Sequence, residues 1–264
     1  MMWELVRQES VKLFAQRFPW VLLGLVLALQ TARTLSLAFT PAQTSLDVVS
    51  APQLWADGAG WGLRFAAYAL LVLGAMSLSR EFSLGTAKTM LVLPISRAAW
   101  VGAKLILLVA LGSGLVLVIT LWGAALTALT LGWGTVMREG LVLVTGGETF
   151  VAILSATLLT LVFFMPVCAF AMVIGMLFTS SGSAVGMALV SGLVLETISG
   201  LFTAGRFVFF SYLGRPSEVV LRMGKGLPYQ WGPLLTWGLL VCLLSFAAFT
   251  VLLFWWMNRR DITD

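Results

Sequence analysis

The chain contains no histidine, and only 10% of its 264 residues are charged. Without histidine there is no b-type haem ligation, no His-based zinc site and no His-dependent catalytic triad. Rhomboid-like proteolysis at Ser181-Gly182-Ser183 fails for the same reason. The two cysteines, Cys168 and Cys242, both lie inside long apolar runs, where packing is the expected role and neither a disulfide framework nor metal spacing is present. The methionines are scattered, which argues for packing over copper binding. A phosphate loop of the form GxxxxGK[ST] is also missing, since Gly224-Lys225-Gly226 lacks both the preceding spacing and the following Ser or Thr. ATP cannot be held by that route on this chain.

What is abundant is apolar surface. Hydrophobic residues make up 60% of the chain and its mean hydropathy is +1.01, whereas a soluble domain is about 45–50% apolar and about 25% charged. So much apolar surface belongs in a bilayer. At about 20 residues per spanning helix, the pattern predicts an all-α membrane protein forming a single transmembrane domain over residues 1–264. Residues 1–17, mixed in Trp3, Val6, Leu13 and charged positions, read as an amphipathic interfacial helix. Spans are expected at about 18–39, 61–78, 105–131, 150–178, 183–201 and 233–257, the fourth kinked near Pro166. The first of these is too long for a signal-peptide core. Residues 40–60 and 132–149 read as loops, and 203–231 as a longer connection.

Six spans put both termini on one side. Nine basic residues fall on that side (Arg7, Lys12, Arg17, Arg80, Lys88, Arg97, Lys104, Arg259 and Arg260) and seven on the other. The early loops discriminate better: 40–60 carries no Lys or Arg, whereas 79–104 carries four. The positive-inside rule then places the termini in the cytoplasm. Trp3, Trp20, Trp55, Trp61, Trp100, Trp133, Trp231, Trp255 and Trp256 fall near span ends, as an aromatic belt requires.

The connection after the second span is the most informative stretch. Gly85 and Thr86 suit a turn and a cap, residues 87–93 supply about two helical turns, Pro94 disfavours helix at Leu93, and Ser96 is placed to cap the third span. A short helix lying along the cytoplasmic surface follows. The spacing of Glu81, Gly85, Thr86, Lys88, Leu91, Pro94, Ser96, Arg97 and Lys104 resembles the signature that follows the second helix in ABC-2 family transporter permeases. Within that family the chain looks most like the small bacitracin-resistance and lantibiotic-immunity permeases, and is also similar to the permease serving nitrous oxide reductase maturation.

The resemblance implies a type V exporter-like architecture with a cytoplasmic coupling helix between helices 2 and 3. It implies a non-catalytic plasma-membrane subunit of a prokaryotic ATP-binding cassette transporter. Such a subunit pairs with a second permease (a homodimer by default, a heterodimer in the alternative) and docks two copies of an ATPase. ATP and Mg are held by that ATPase, and no cofactor or metal by this chain. ATPase coupling then falls to Glu81, Gly85, Thr86, Lys88, Leu91, Pro94, Ser96 and Arg97. The cargo class implied is an amphipathic peptide, a lipid-like molecule or a drug, as in antimicrobial peptide resistance.

Glu196 is the clearest acidic residue within a predicted span, and such groups are costly and often functional. It is a pathway candidate together with Arg64, set against the plainer reading of a carboxyl facing outer water. Arg33 and Arg64 are placed to snorkel. In 203–231, Ser217 is expected to cap a short helix ending at Gly224, and Arg206, Arg215 and Arg222 are outer-gate candidates by likeness to the family. Gly182, Gly186 and Gly192 favour close packing of the fifth span. Two other functions stay open: an ion-coupled secondary transporter using Glu196, and a non-transporting membrane scaffold or sensor.

Overall fold

A computed structural model describes residues 2–40, 49–85, 96–138, 141–201 and 203–259. The elements are α1 (Met2–Ala15), α2 (Arg17–Ala38), α3 (Ala51–Ser83), α4 (Arg97–Thr130), β1 (Val136–Arg138), β2 (Leu141–Val144), α5 (Gly146–Leu177) and α6 (Ser181–Leu201). Two 3-10 turns (Thr203–Phe207, Phe209–Tyr212), α7 (Arg215–Gly224), a π-wound turn (Leu234–Gly238) and α8 (Leu239–Arg259) complete the described chain. Among the described residues, six helical stretches are long and apolar enough to cross a membrane, so this is a multi-pass, all-α membrane architecture. An even number of crossings returns the chain to the end where it began. That end is called the terminal end below, and the opposite one the hairpin end.

Several helices outrun their apolar runs. The second span begins at Ala51, ten residues before the hydropathy pattern placed it, because Pro52 in the first turn loses no hydrogen bond there. The loop expected at 40–60 is shorter accordingly. At 33 residues, α3 is about 50 Å long and extends beyond a hydrocarbon core of about 30 Å. The fourth span starts at Gly146, four residues earlier than expected, since Thr145 and Glu148 form a reciprocal capping box. Pro166 lies inside α5, which continues unbroken to Leu177. The expected loop at 132–149 instead contains an antiparallel hairpin, with Val136 opposite Val144 and Arg138 opposite Leu141. The Leu141-Val142-Leu143-Val144 run was its sequence signal.

Helices α3 and α5 form the centre, each with 67% of its most apolar window buried, against 17% for α2 and for α6. Lipid tails are as apolar as leucine, so helices associate in a bilayer through close packing. Gly74 and Gly175 supply it. A Cβ on Gly74 would lie 2.5 Å from the Ala171 Cβ, and one on Gly175 would lie 2.4 Å from the Ala75 carbonyl oxygen. Around that contact, Leu70, Leu71 and Leu78 meet Phe163, Phe164, Met172 and Met176. Cys168 belongs to the same core, its thiol directed at the Leu108 carbonyl, and Cys242 is buried too.

At the hairpin end, α7 packs on the first turns of α3, and the Ser50 hydroxyl donates to the Gly224 carbonyl at 2.8 Å. Trp55 is buried there and its indole donates to the Thr120 carbonyl at 3.1 Å. Trp55 and Trp100 are therefore packed inside the protein, whereas Trp3, Trp20, Trp61, Trp133, Trp255 and Trp256 remain exposed. Ser217 is not the cap of α7. Gly214 occupies that position, and the Ser217 hydroxyl donates back to the Gly214 carbonyl from within the first turn. The aromatic run before α7 turns inward: Phe209 packs against Phe170 and Phe249, while Phe207 stays exposed.

Candidate functional site

Two places gather the polar residues. At the terminal end, Lys104 near the start of α4 is 5% exposed and donates to Glu9 of α1 at 2.6 Å and to Glu81 of α3 at 2.8 Å. Lys12 adds a second cation to Glu9 at 2.9 Å. The Lys104 ammonium also lies 5.4 Å from the Trp100 ring, which meets Phe82 edge-on. An ammonium can donate three hydrogen bonds, and spending two on buried carboxylates ties three helices together. Burial opposes ionisation of Glu9, but the charge and hydrogen bond of Lys104, aided by Lys12, hold its carboxyl below the ordinary value of 4.5.

The motif flanks this junction. Gly85 ends α3 in a left-handed conformation at φ +68°, which favours a residue without a Cβ. Its amide donates to the Phe82 carbonyl. On the far side Ser96 caps α4 as expected, its hydroxyl accepting from the Ala99 amide at 3.2 Å, and Arg97 opens the helix. Thr86, Lys88, Leu91 and Pro94, and with them the short helix expected over 87–93, lie outside the described residues.

At the hairpin end, a cleft of about 550 Å³ opens between α3, α6, the second 3-10 turn and α7. Its α3 wall carries Asp57, Trp61, Arg64 and Tyr68 at helical spacing. Across from them stand Glu196 of α6 and Arg215 of α7. The Tyr68 hydroxyl donates to the Glu196 carboxylate, and the Arg64 guanidinium lies 3.9 Å from its other oxygen. Gly192 permits this approach: a Cβ there would come 2.9 Å from the Tyr68 ring, one turn before Glu196. Arg33 does not merely snorkel. Its guanidinium forks onto Asp57 at 2.6 and 3.3 Å and covers Trp61.

The three outer-gate candidates separate. Arg215 lines the cleft and stacks on Tyr212 at 4.8 Å. Arg222 pairs with Glu218 along the exposed side of α7. Arg206 is exposed and lies over Phe207, away from the cleft wall. Of the small residues in α6, Gly192 packs closely while a Cβ on Gly186 would meet open space. Sequence reasoning missed Tyr68 and Glu9. Tyr68 follows Arg64 by four residues, the spacing that puts two side chains on one helix face, and that was its available signal.

A profile for proteins of unknown function, DUF2705, matches residues 44–263. The chain belongs to the DUF2705 family. No curated protein matches it. The segment matched to DUF2705 contains Glu81, Lys104 and the whole cleft wall, and starts after α1 and α2, so Glu9 and Arg33 stand outside it.

Proposed function

We propose that this chain is the permease subunit of an ATP-driven, ABC-2-type transporter. On this reading it exports an amphipathic peptide, a lipid-like molecule or a drug, using hydrolysis on a separate ATPase. The observation that carries the reading is the buried Glu9–Lys104–Glu81 junction. It fastens the two ends of the motif segment to each other and to the N-terminal helix. Displacement of residues 86–95 by a cytoplasmic partner would therefore reach α1, α3 and α4 together, and a stiff polar link passes motion where an apolar contact would slide. The missing phosphate loop in the sequence agrees with energy coming from a partner.

Affinity purification from the native membrane tests this. An ATPase with a Walker motif is expected to copurify, and Lys88→Glu is expected to release it while the permease stays monodisperse. A stable complex lacking any ATPase would overturn the reading. The grouping of Tyr68, Arg64 and Glu196 in an open cleft supports one rival, an ion-coupled transporter. That rival predicts transport lost on collapsing the proton gradient and in Glu196→Gln.

A further inference from the structure

The cleft at the hairpin end has an asymmetry of partners. Its carboxylates are already engaged within the protein. Both oxygens of Asp57 are held by Arg33, Glu218 accepts twice from Arg222, and Glu196 accepts from Tyr68. Its guanidiniums are held more loosely. Arg64 stands 3.9 Å from Glu196, beyond hydrogen-bond reach, and 61% of its side chain is exposed. Arg215 is half-buried and stacks on Tyr212, with no carboxylate within 4.0 Å among the described residues. Each guanidinium offers five N–H donors in a planar fork that suits a phosphate or carboxylate. The lining carries three carboxylates against two guanidiniums, but each carboxylate accepts a hydrogen bond from within the protein, while Arg64 and Arg215 keep N–H donors unspent.

Its depth identifies what carries the anion. Trp61, exposed on α3, marks the interfacial level of an aromatic belt. Arg64 lies about 5 Å deeper along the helix and Tyr68 about 10 Å deeper. Exposed Trp61 and half-buried Leu221 give the cleft an apolar flank beside the arginines, backed by the buried Phe210 and Leu213. A small soluble anion gains nothing from that flank, whereas an amphiphile places its headgroup on the arginines and its first carbons on the aromatics.

We propose that this cleft binds the headgroup of an anionic phospholipid, one whose phosphate carries no cation beside it, with Arg64 and Arg215 holding the phosphate oxygens. Such binding needs no ATPase and no transport cycle, so it stands apart from the permease reading. The test uses the full chain in nanodiscs of phosphatidylcholine, titrated with short-chain phosphatidylglycerol, short-chain phosphatidylcholine and glycerol phosphate. Bound lipid is counted by native mass spectrometry and affinity followed by tryptophan fluorescence.

Saturable phosphatidylglycerol binding is expected, weakened about tenfold by Arg64→Gln or Arg215→Gln, as loss of charge-assisted hydrogen bonds implies. Arg17→Gln, the same charge change at the opposite end, is expected to leave it unaltered. Glycerol phosphate is expected to bind far more weakly than the lipid. Equal affinity for the two lipids, or binding indifferent to both cleft substitutions in a folded protein, would overturn the proposal. Glycerol phosphate binding as tightly as phosphatidylglycerol would overturn its amphiphile component and leave a soluble oxyanion as the ligand.

Discussion

The two ends of this helix bundle handle charge in opposite ways. At the terminal end, Lys104 is buried between Glu9 and Glu81 at 2.6 and 2.8 Å, and each group depends on the others. At the hairpin end, Arg64 and Glu196 face each other at 3.9 Å with side chains 61% and 41% exposed. A buried charge must be matched because taking it out of water is expensive, whereas an exposed one has water as an alternative partner. The first arrangement acts as a structural joint. The second leaves its groups available to something that enters the cleft.

Breaking the joint should give the largest effect. Lys104→Met removes the common cation of buried Glu9 and part-buried Glu81, leaving Lys12 beside Glu9, and removing one partner of a buried pair costs about 3–5 kcal/mol. Thermal unfolding of the purified protein, followed by tryptophan fluorescence, should show a correspondingly large fall in midpoint. Adding Glu9→Gln and Glu81→Gln to that variant should recover part of the loss, because the repulsion between the two carboxylates is then gone. A Lys104→Met protein as stable as the parent would mean that the junction is solvated and binds nothing together.

Acid should weaken the same joint by a smaller amount, since it removes one arm. Glu9 is more acidic in the folded protein than the ordinary carboxyl at 4.5. Its contribution is therefore complete above that ordinary value and fades as pH falls through the lower folded value. The stability difference between the parent and Glu9→Gln should be constant at neutral pH and shrink in acid. A difference that persists unchanged in acid would show that Glu9 does not titrate with folding.

How far the sequence foretold these two ends follows from the range of the interactions. The number of spans was legible because hydropathy is a local property. Helix starts were less so: Ala51 and Gly146 lie outside the apolar runs, where a proline and a capping box extend the helix into polar surroundings. The hairpin was too short to compete with its neighbours. Ser96 as a cap was readable because the cap and the amide it accepts from are three residues apart. The link from Glu9 to Lys104 spans 95 positions, and nothing local marks it. Glu196 stands out in the sequence as a costly charge in an apolar run and Arg64 as a cation placed to snorkel at a span end, but Tyr68, which donates to the carboxylate, resembles any aromatic in a span.

Between the extremes sits the Arg33–Asp57 pair, whose side chains are 37% and 20% exposed. Asp57→Asn should cost about 1 kcal/mol, at the upper end for a partly exposed ion pair because the fork is bidentate and the guanidinium also covers Trp61. A double-mutant cycle with Arg33→Gln would isolate the pair. A coupling as large as that of Lys104 would erase the distinction between the two ends.

The smallest effect on folding is expected from Glu196→Gln. The amide keeps a carbonyl that can accept from the Tyr68 hydroxyl, and what it gives up is a Coulombic contact at 3.9 Å across water-exposed side chains. Pairs of that kind contribute about 0–1 kcal/mol, so the unfolding midpoint should hardly move. That near-neutrality makes the variant informative about function, because a change in transport cannot then be blamed on a damaged fold. An ATP-driven permease should be indifferent to collapse of the proton gradient whether position 196 is Glu or Gln. Transport that is lost both on collapsing the gradient and in a fully stable Glu196→Gln protein would favour ion coupling. Loss of stability equal to that of Lys104→Met would mean that the hairpin end, too, is held together by its charges.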